Sequence, residues 1–480
     1  MYIGLDMGTS GLKAILMDAD QAILAEATAP LTVSRPAEGW SEQDPADWIE
    51  ATKTVLAALA QKHGSLAAVR GIGLSGHMHG AVLLDAEDRV LRPCILWNDT
   101  RAHREAAELD ADAQFRAVTG NIVFPGFTAP KLVWVARHEP AIFAKVAKVL
   151  LPKDYLRLWL TGGHVGDMSD AAGTSWFDTG ARNWSDDLLA KTGLSRSQMP
   201  ALVEGSAPSG TLRGAVAQEF GMSASVVVAG GAGDNAASAL GVGVVRRGEA
   251  FVSLGTSGVL FAADDGYRPD PATAVHTFCH AIPDTWHQMG VILAATDALN
   301  WWARGAGLGA ADLVRALGDT VQAPGKARFL PYLGGERTPL NDAAIRAGFL
   351  GLEHGTDRDA LTRAVLEGVS FAIRDCRDAL AATGTRFDSL LAVGGGSRSD
   401  YWLGVIATVL DTPVSLPVAG DFGGAFGAAR MGLMATEGAG VEICTQPEIA
   451  RVIEPTSTLK QAFDAGYDRW RRTRDAVAAL

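Results

Sequence analysis

The sequence predicts an α/β protein built as two globular halves, and three observations carry that expectation. At 480 residues the chain is longer than one ordinary core organises, taking on the order of 100 to 250 residues per domain. The turn Gly-Thr-Ser-Gly is written twice, once from Gly8 and again from Gly255, each time between apolar runs. Elsewhere an apolar strand twice runs through glycines into a helix, at 226–243 and from Leu390 onward.

In chain order, Tyr2 and Ile3 lead into the first turn, and Leu12-Lys13-Ala14-Ile15-Leu16-Met17-Asp18 leads out of it. Alternation on both sides of a glycine turn suits an antiparallel hairpin better than a strand-to-helix crossover. Ala250 to Leu254 and Val259 to Ala263 repeat the pattern around the second turn. Between them, VVVAGGAGDNAASALGVG predicts a buried strand, a glycine turn carrying Asp234 and Asn235, and a small-residue helix. Thr356-Asp357-Arg358-Asp359 has the composition of a helix N-terminus, and apolar residues recur at helical spacing from Leu361 to Cys376, with Gly384 as the stop. Leu390 to Val393 then enters Gly394-Gly395-Gly396-Ser397, followed by a helix from Tyr401. Asp421, Gly423 and Gly424 open one more small-residue helix, GGAFGAARMG, read as structural. The division falls near residue 247, giving halves 1–247 and 248–480.

Composition narrows the class. Hydrophobic residues make up 48% and charged residues 20%, the usage of a folded globular protein. With 42 basic and 54 acidic residues the formal charge is −12, a field that repels nucleic acid and anionic membrane, so an anionic ligand must be held locally. Cys94, Cys279, Cys376 and Cys444 are scattered without metal-ligand spacing, no apolar stretch reaches 18 residues, and the N-terminus has no export pattern. A reduced cytoplasmic protein is expected, and the sequence leaves a homodimer open.

A glycine turn beside a strand can cradle phosphate, because bare backbone aims several N–H groups at one anion while Thr and Ser add hydroxyls. One such turn is an ordinary hairpin; two, each opening a half, suggest a grip on one polyphosphate from both sides. A triphosphate held this way calls for Mg²⁺, a hard cation that needs only one or two carboxylates. Asp6 supplies one beside the first turn, and the matching position of the second copy is the neutral Ser253.

Taken in order, IGLDMGTSGLKAILMD, SGHMHGAVLLD, ILWNDTR, GAGDNAASALG, FVSLGTSG, FLPYLGGERTP and LLAVGGGSRSDYW resemble the FGGY family of carbohydrate kinases, from residue 1 to about residue 435. The resemblance implies two actin-like (ribonuclease-H-like) domains flanking a cleft, with the sugar and the Mg²⁺/phosphate side in the first and the nucleotide side in the second. It also implies ATP and Mg²⁺ in the cleft and phosphorylation of a pentulose, D-xylulose above all, at its terminal hydroxyl. Asp234 becomes the base that takes the sugar proton. Met78, His79, Trp97, Asn98, Asp99, Arg101 and Asn235 border the sugar. Gly8, Thr9, Ser10, Lys13, Gly255 and Thr256 face the phosphates, and Gly395, Gly396 and Ser397 lie against the adenine. One departure stands out: position 77 is His where the family pattern has Gln, which bears on which pentulose is preferred. The alternatives are a kinase for ribulose, glycerol or gluconate, and an actin- or chaperone-like ATPase without a small substrate; the polar group at Met78, His79 and 97–101 favours a small substrate.

Overall fold

The structure is a computed structural model and describes residues 1–418 and 422–479; Asp421, expected at a helix start, lies outside the described residues. The first GTSG joins strands β1 (Tyr2–Met7) and β2 (Gly11–Met17) in an antiparallel hairpin that places Asp6 opposite Lys13. Strand β3 (Ile23–Pro30) extends the hairpin side, and β4 (Gly71–Gly76) pairs parallel to β1 with Asp6 opposite Ser75. Beyond β4 lie β5 (Pro208–Thr211), β6 (Val227–Ala229) and β7 (Ala232–Gly233), completing a seven-stranded sheet in the order β5-β6-β4-β1-β2-β3, with β7 also on β4.

The second half repeats this plan. Strands β8 (Ala250–Leu254) and β9 (Gly258–Asp264) form the second GTSG hairpin. Strands β10 (His276–Cys279) and β11 (Trp286–Ile292) extend it on one side, and β12 (Leu390–Val393) pairs parallel to β8 on the other, followed by β13 (Val414–Pro417) and β14 (Ile449–Ile453). Each sheet thus has a hairpin whose first strand continues into a parallel neighbour, and each GTSG turn sits at the end of that central strand.

The helices follow from local signals. Helix α1 (Pro45–His63) starts at Asp44, whose carboxylate accepts the Ala46 N–H, and stops at the left-handed Gly64. Helices α2 (Thr128–His138) and α3 (Pro152–Thr161) stand in the first half. Helix α4 (Asp234–Gly241) begins at Asp234 itself, a correction to the expected turn: β7 pairs with β4 through Gly233, so Asp234 and Asn235 occupy the first helical turn. Asp357 caps α5 (Arg358–Ala382) as its composition predicts, and Ser399 caps α6 (Asp400–Leu410) one residue ahead of the expected start.

Helix α7 (Gly424–Glu437) belongs by sequence to the second half, yet it packs on the first sheet. The contact is backbone on backbone. A Cβ at Gly4 would stand 1.8 Å from the Ala425 carbonyl oxygen, and one at Gly73 would stand 1.7 Å from that of Ala428. On its other flank Gly427 of α7 meets the Ala237 carbonyl of α4 just as closely, so α4 and α7 cross the middle of the molecule as a tightly packed pair. Helix α8 (Lys460–Ala478) closes the second half, where Phe463 and Trp470 join its core. A separate apolar cluster, including Phe127, Trp176, Phe251 and Phe278, spans both halves next to the cleft.

Candidate active site

Two carboxylates, Asp6 and Asp234, stand close enough for the charge of one to act on the other. Asp6, near the end of β1, accepts a 2.6 Å hydrogen bond from Ser75 Oγ, its parallel neighbour on β4. It also meets the N-terminus of α7: a Cβ at Gly424 would lie 2.8 Å from the Asp6 carboxyl carbon and both its oxygens, so any larger residue there must displace the carboxylate or the helix. Burial raises the Asp6 pKa, opposed by the Ser75 hydrogen bond and the Lys13 charge. Asp234 stands at the first turn of α4, where its Oδ1 accepts the Asn235 backbone N–H at 2.7 Å and the Asn235 side-chain amide at 2.9 Å. Burial first, and the negative charge of Asp6 second, push Asp234 up to about 6. A carboxyl poised there is a usable base near neutrality.

Of the residues expected on the sugar side, Met78 packs beside the start of α4. A Cβ at Gly233 would stand 2.7 Å from Met78 Cγ, so Met78 packs directly under the residue that precedes Asp234. His79 adopts a left-handed φ of 70°. Its Nδ1 lies 2.8 Å from the Gly173 carbonyl, which places the proton on Nδ1, and its ring stacks on Phe127 at 4.5 Å. Burial holds His79 neutral, with its pKa down to about 3. Lys131 of α2, fully buried, donates 2.7 Å hydrogen bonds to the carbonyls of His79 and Gly126 and so fixes this backbone.

Residues 97–101 split into two roles. Trp97 is 46% exposed, and its indole N–H donates to Thr9 Oγ1 at 2.9 Å, tying the expected sugar side to the first GTSG turn. Asn98 keeps a buried Oδ1 without a protein partner. Asp99 and Arg101 instead form a buried ion pair at 2.7 Å. Arg101 also reaches Glu42 at 2.7 Å and stacks on Trp40 at 3.7 Å, and Asp99 accepts the Ser41 N–H at 2.6 Å. That pair braces the segment from behind. His77 points to the α1 side of the sheet, edge-on to Trp48 at 5.7 Å, with neither ring nitrogen hydrogen-bonded. The one departure from the family pattern is therefore turned away from His79.

Of the expected phosphate residues, Gly8 closes its turn by donating to the Gly11 carbonyl at 3.0 Å, Thr9 lends its carbonyl to Gln43 at 2.7 Å, and Ser10 is exposed. Lys13 lies opposite Asp6 across the hairpin and reaches Glu26 at 3.1 Å. In the second turn the Gly255 carbonyl accepts from Thr296 N at 3.0 Å and Thr296 Oγ1 at 2.7 Å, which leaves the Thr256 side chain exposed. Gly395, Gly396 and Ser397 form a short 3₁₀ turn after β12, where Ser397 Oγ donates to the Gly394 carbonyl at 2.7 Å. A cavity of about 630 Å³ opens on one side of this turn, lined by Thr296, Asn300, Gly395, Gly396 and Tyr401. Another of about 550 Å³ lies between the halves and touches Asn235, Ser253, Ser397 and Gly423. No cluster of three or more metal-ligating side chains occurs among the described residues.

Residues 1–241 match the N-terminal domain of the FGGY family of carbohydrate kinases, and residues 250–436 match its C-terminal domain. The chain belongs to that family. This carbohydrate kinase is 48% identical over 484 residues to the xylulose kinase of Escherichia coli (strain K12), with 100% of each chain covered. Among solved structures, a xyloylose kinase from Brucella ovis is 64% identical with a TM-score of 0.99, covering 100% of this chain and 99% of its own. The xylulose kinase from Rhodospirillum rubrum is 32% identical with a TM-score of 0.94 over 100% and 99%. The fold is the two-domain, actin-like FGGY kinase fold, so membership decides against an ATPase without a small substrate. No helix among the described residues of the kinase is long and apolar enough to cross a membrane.

The sequence does not single out Ser75 or Lys131, and it marks Gly424 only as the start of a structural helix. Ser75 carried a usable signal, since a hairpin strand paired to a parallel neighbour puts some β4 side chain beside Asp6. Gly424 and Lys131 had none, because their partners are set by tertiary packing.

Proposed function

We propose that the enzyme transfers the γ-phosphoryl group of ATP to the terminal hydroxyl of D-xylulose. The reading rests on one observation above the rest: Asp234 is a base of raised pKa next to the Met78–His79 floor, with its charge set against Asp6 at the end of the first phosphate turn. The identity to xylulose kinases along the whole chain supports the choice of sugar. Asp234 takes the proton of the hydroxyl as that oxygen bonds to phosphorus. The bond from phosphorus to the β–γ bridging oxygen breaks, and the products are ADP, the 5-phosphate and the proton held by Asp234.

Met78, His79 and Trp97 orient the sugar, and Asn235 steadies the Asp234 carboxylate. The first turn, with Thr9 and Lys13, and the second, with Gly255 and Thr256, close on the phosphates from two sides, while the adenosine lies in the cavity beside Gly395 and Gly396. Asp6 suits Mg²⁺, because two opposed carboxylates in a buried cleft are relieved by a hard divalent cation. When bound, the ion neutralises phosphate charge. Residues 1–247 act as the sugar and phosphate side and 248–480 as the nucleotide side.

Coupled ADP release over D-xylulose, D-ribulose, glycerol and gluconate tests the reading. D-xylulose should give the highest kcat/KM. A higher value for another acceptor, or ATP hydrolysis indifferent to any sugar, would overturn it.

A further inference from the structure

Arg337 belongs to the second half, yet its side chain comes to rest on the first. Its guanidinium lies 4.7 Å over the ring of Phe124, and its Nη1 is 3.3 Å from His276 Nε2 on β10. Phe124 packs edge-on against Phe127 at 5.4 Å, and Phe127 is the ring on which His79 stacks. One aromatic cup thus carries His79 on one wall and Arg337 on another, with His276 at 5.2 Å from Phe124 between the two halves. From Asp234 the contacts run through Gly233 to Met78, then to its neighbour His79, then to Phe127 and Phe124. Arg337 stands at the end of this series remote from the base.

The arginine is held in place without an ion pair, with the charge of the neighbouring Glu336 opposing the effect of burial on its guanidinium. Its backbone N–H donates to Glu336 Oε1 at 2.7 Å, and the same oxygen accepts the Leu293 N–H at 3.0 Å. Thr338 Oγ1 accepts the Val291 N–H at 3.0 Å and donates to the Ala274 carbonyl at 3.1 Å, so the residues on both sides are pinned to the edge of the second sheet. Among the described residues no carboxylate lies within ion-pair distance of the Arg337 side chain. The side chain is partly exposed, and its nitrogens are absent from the buried atoms without partners, so its remaining N–H groups are within reach of solvent. His276 is kept neutral by burial and offers Nε2 as the acceptor that orients the fork.

A guanidinium has five donors and no acceptor. The oxygen it matches best is one that only accepts. A pentulose phosphorylated at its terminal hydroxyl carries its ketone at C2, toward the opposite end and beside the C1 hydroxyl, and the ketone oxygen has lone pairs and no proton. A polyol presents a hydroxyl there, whose oxygen also accepts from a guanidinium but whose extra proton finds no acceptor on Arg337. We propose that Arg337 determines specificity by donating to the keto oxygen of the sugar, so that the second half completes the sugar pocket as well as the nucleotide site. The proposal rests on the assignment of a pentulose as substrate. A site built to donate to one oxygen discriminates strongly against an analogue that pairs poorly with it.

The experiment compares kcat/KM for D-xylulose with that for its two reduced forms, xylitol and D-arabitol, in the wild-type enzyme and in Arg337→Met. The wild type should prefer the ketose by at least 100-fold. Arg337→Met should lower kcat/KM for D-xylulose by 50-fold or more and change the polyol values by less than 5-fold, with most of the ketose loss in KM. Calorimetric ATP binding by the variant shows that it is folded. Should Arg337→Met fail to bind ATP, Arg337→Lys carries the same comparison, because it keeps the charge and loses the fork; its ketose preference should fall by about 10-fold. Equal loss on ketose and polyols, or none, in a wild type that phosphorylates D-xylulose would overturn this inference alone. A wild type inactive on D-xylulose would overturn both this inference and the assigned substrate.

Discussion

The backbone amide of Gly233 donates to the hydroxyl oxygen of Ser169 at 3.2 Å, and that hydroxyl donates to Asp167 at 2.5 Å. Through these two bonds the residue preceding Asp234 is moored to a fully buried ionic cluster. Lys153 sits at its centre, 2.7 Å from Asp154, 2.5 Å from Asp167 and 3.0 Å from Asp170. Arg157 pairs with Asp154 at 2.7 Å and donates to the Gly230 carbonyl, in the same glycine turn.

Ser169→Ala cuts the mooring and leaves the ion pairs intact. We expect kcat to fall by roughly 3- to 30-fold through misplacement of the base, with KM for ATP unchanged, since small displacements of a reacting group cost rate before they cost binding. Steady-state kinetics beside a melting curve check this. A drop in melting temperature with full kcat would make Ser169 a stability residue only.

The cluster sets three carboxylates against two cations, and burial with the neighbouring carboxylates pushes Asp170 up to about 8. The native state therefore holds a proton between roughly pH 4 and 8 that the unfolded chain has released. Stability contributed at this site falls as pH rises through that window. Asp170→Asn removes the titration, so its urea midpoint relative to wild type should rise between pH 5 and pH 9. A constant difference across that range would mean that Asp170 is charged throughout.

Asp234 must be unprotonated to accept a proton. With its pKa near 6, kcat/KM should fall as pH drops through about 6 and level off above 7. Asp234→Asn should lose about 10² to 10⁴ in kcat and still bind ATP. Because the Asp6 charge helps raise Asp234, the residual activity of Asp6→Asn should show its acidic limb at lower pH. A limb that does not move would remove the coupling between the two carboxylates.

Gly424→Ala places a methyl group 2.8 Å from the Asp6 carboxylate and forces α7 or Asp6 to shift. Overpacking of this kind costs about 1 to 3 kcal/mol of stability. The magnesium concentration for half-maximal activity should rise as well, because Asp6 is displaced. Unaltered metal dependence in a destabilised variant would separate the glycine from the metal site.

The duplicated hairpins were legible because GTSG and the alternating strands around it are local patterns, and the fold keeps their antiparallel register from Tyr2 opposite Met17 to Ser253 opposite Val259. Asp6 and Asp234 were legible as chemistry for the same reason: each is an acid at the end of an apolar strand or turn. Arg337, Ser169 and the landing place of α7 were not. Arg337 meets Phe124 across more than 200 residues, Ser169 meets Gly233 across 64, and a glycine in GGAFGAARMG looks the same whichever sheet it touches. Asp99 and Arg101 show the converse, since a polar motif beside a pocket also describes a buried ion pair that braces it.

The seat of α7 on β1 and β4 has a consequence during synthesis. The first sheet's central strands are complete once residue 76 has been made, but the helix that covers their glycine face arrives about 350 residues later. At about 5 to 20 residues per second, the nascent first half spends roughly 20 to 70 s with that face uncovered. Glycines at 4, 71 and 73 make the face shallow where α7 will seat, while Tyr2, Ile15 and Met17 leave apolar side chains on it that stay uncovered until α7 arrives. A chain released before residue 424 would leave the ribosome with its catalytic strands formed and no roof over them.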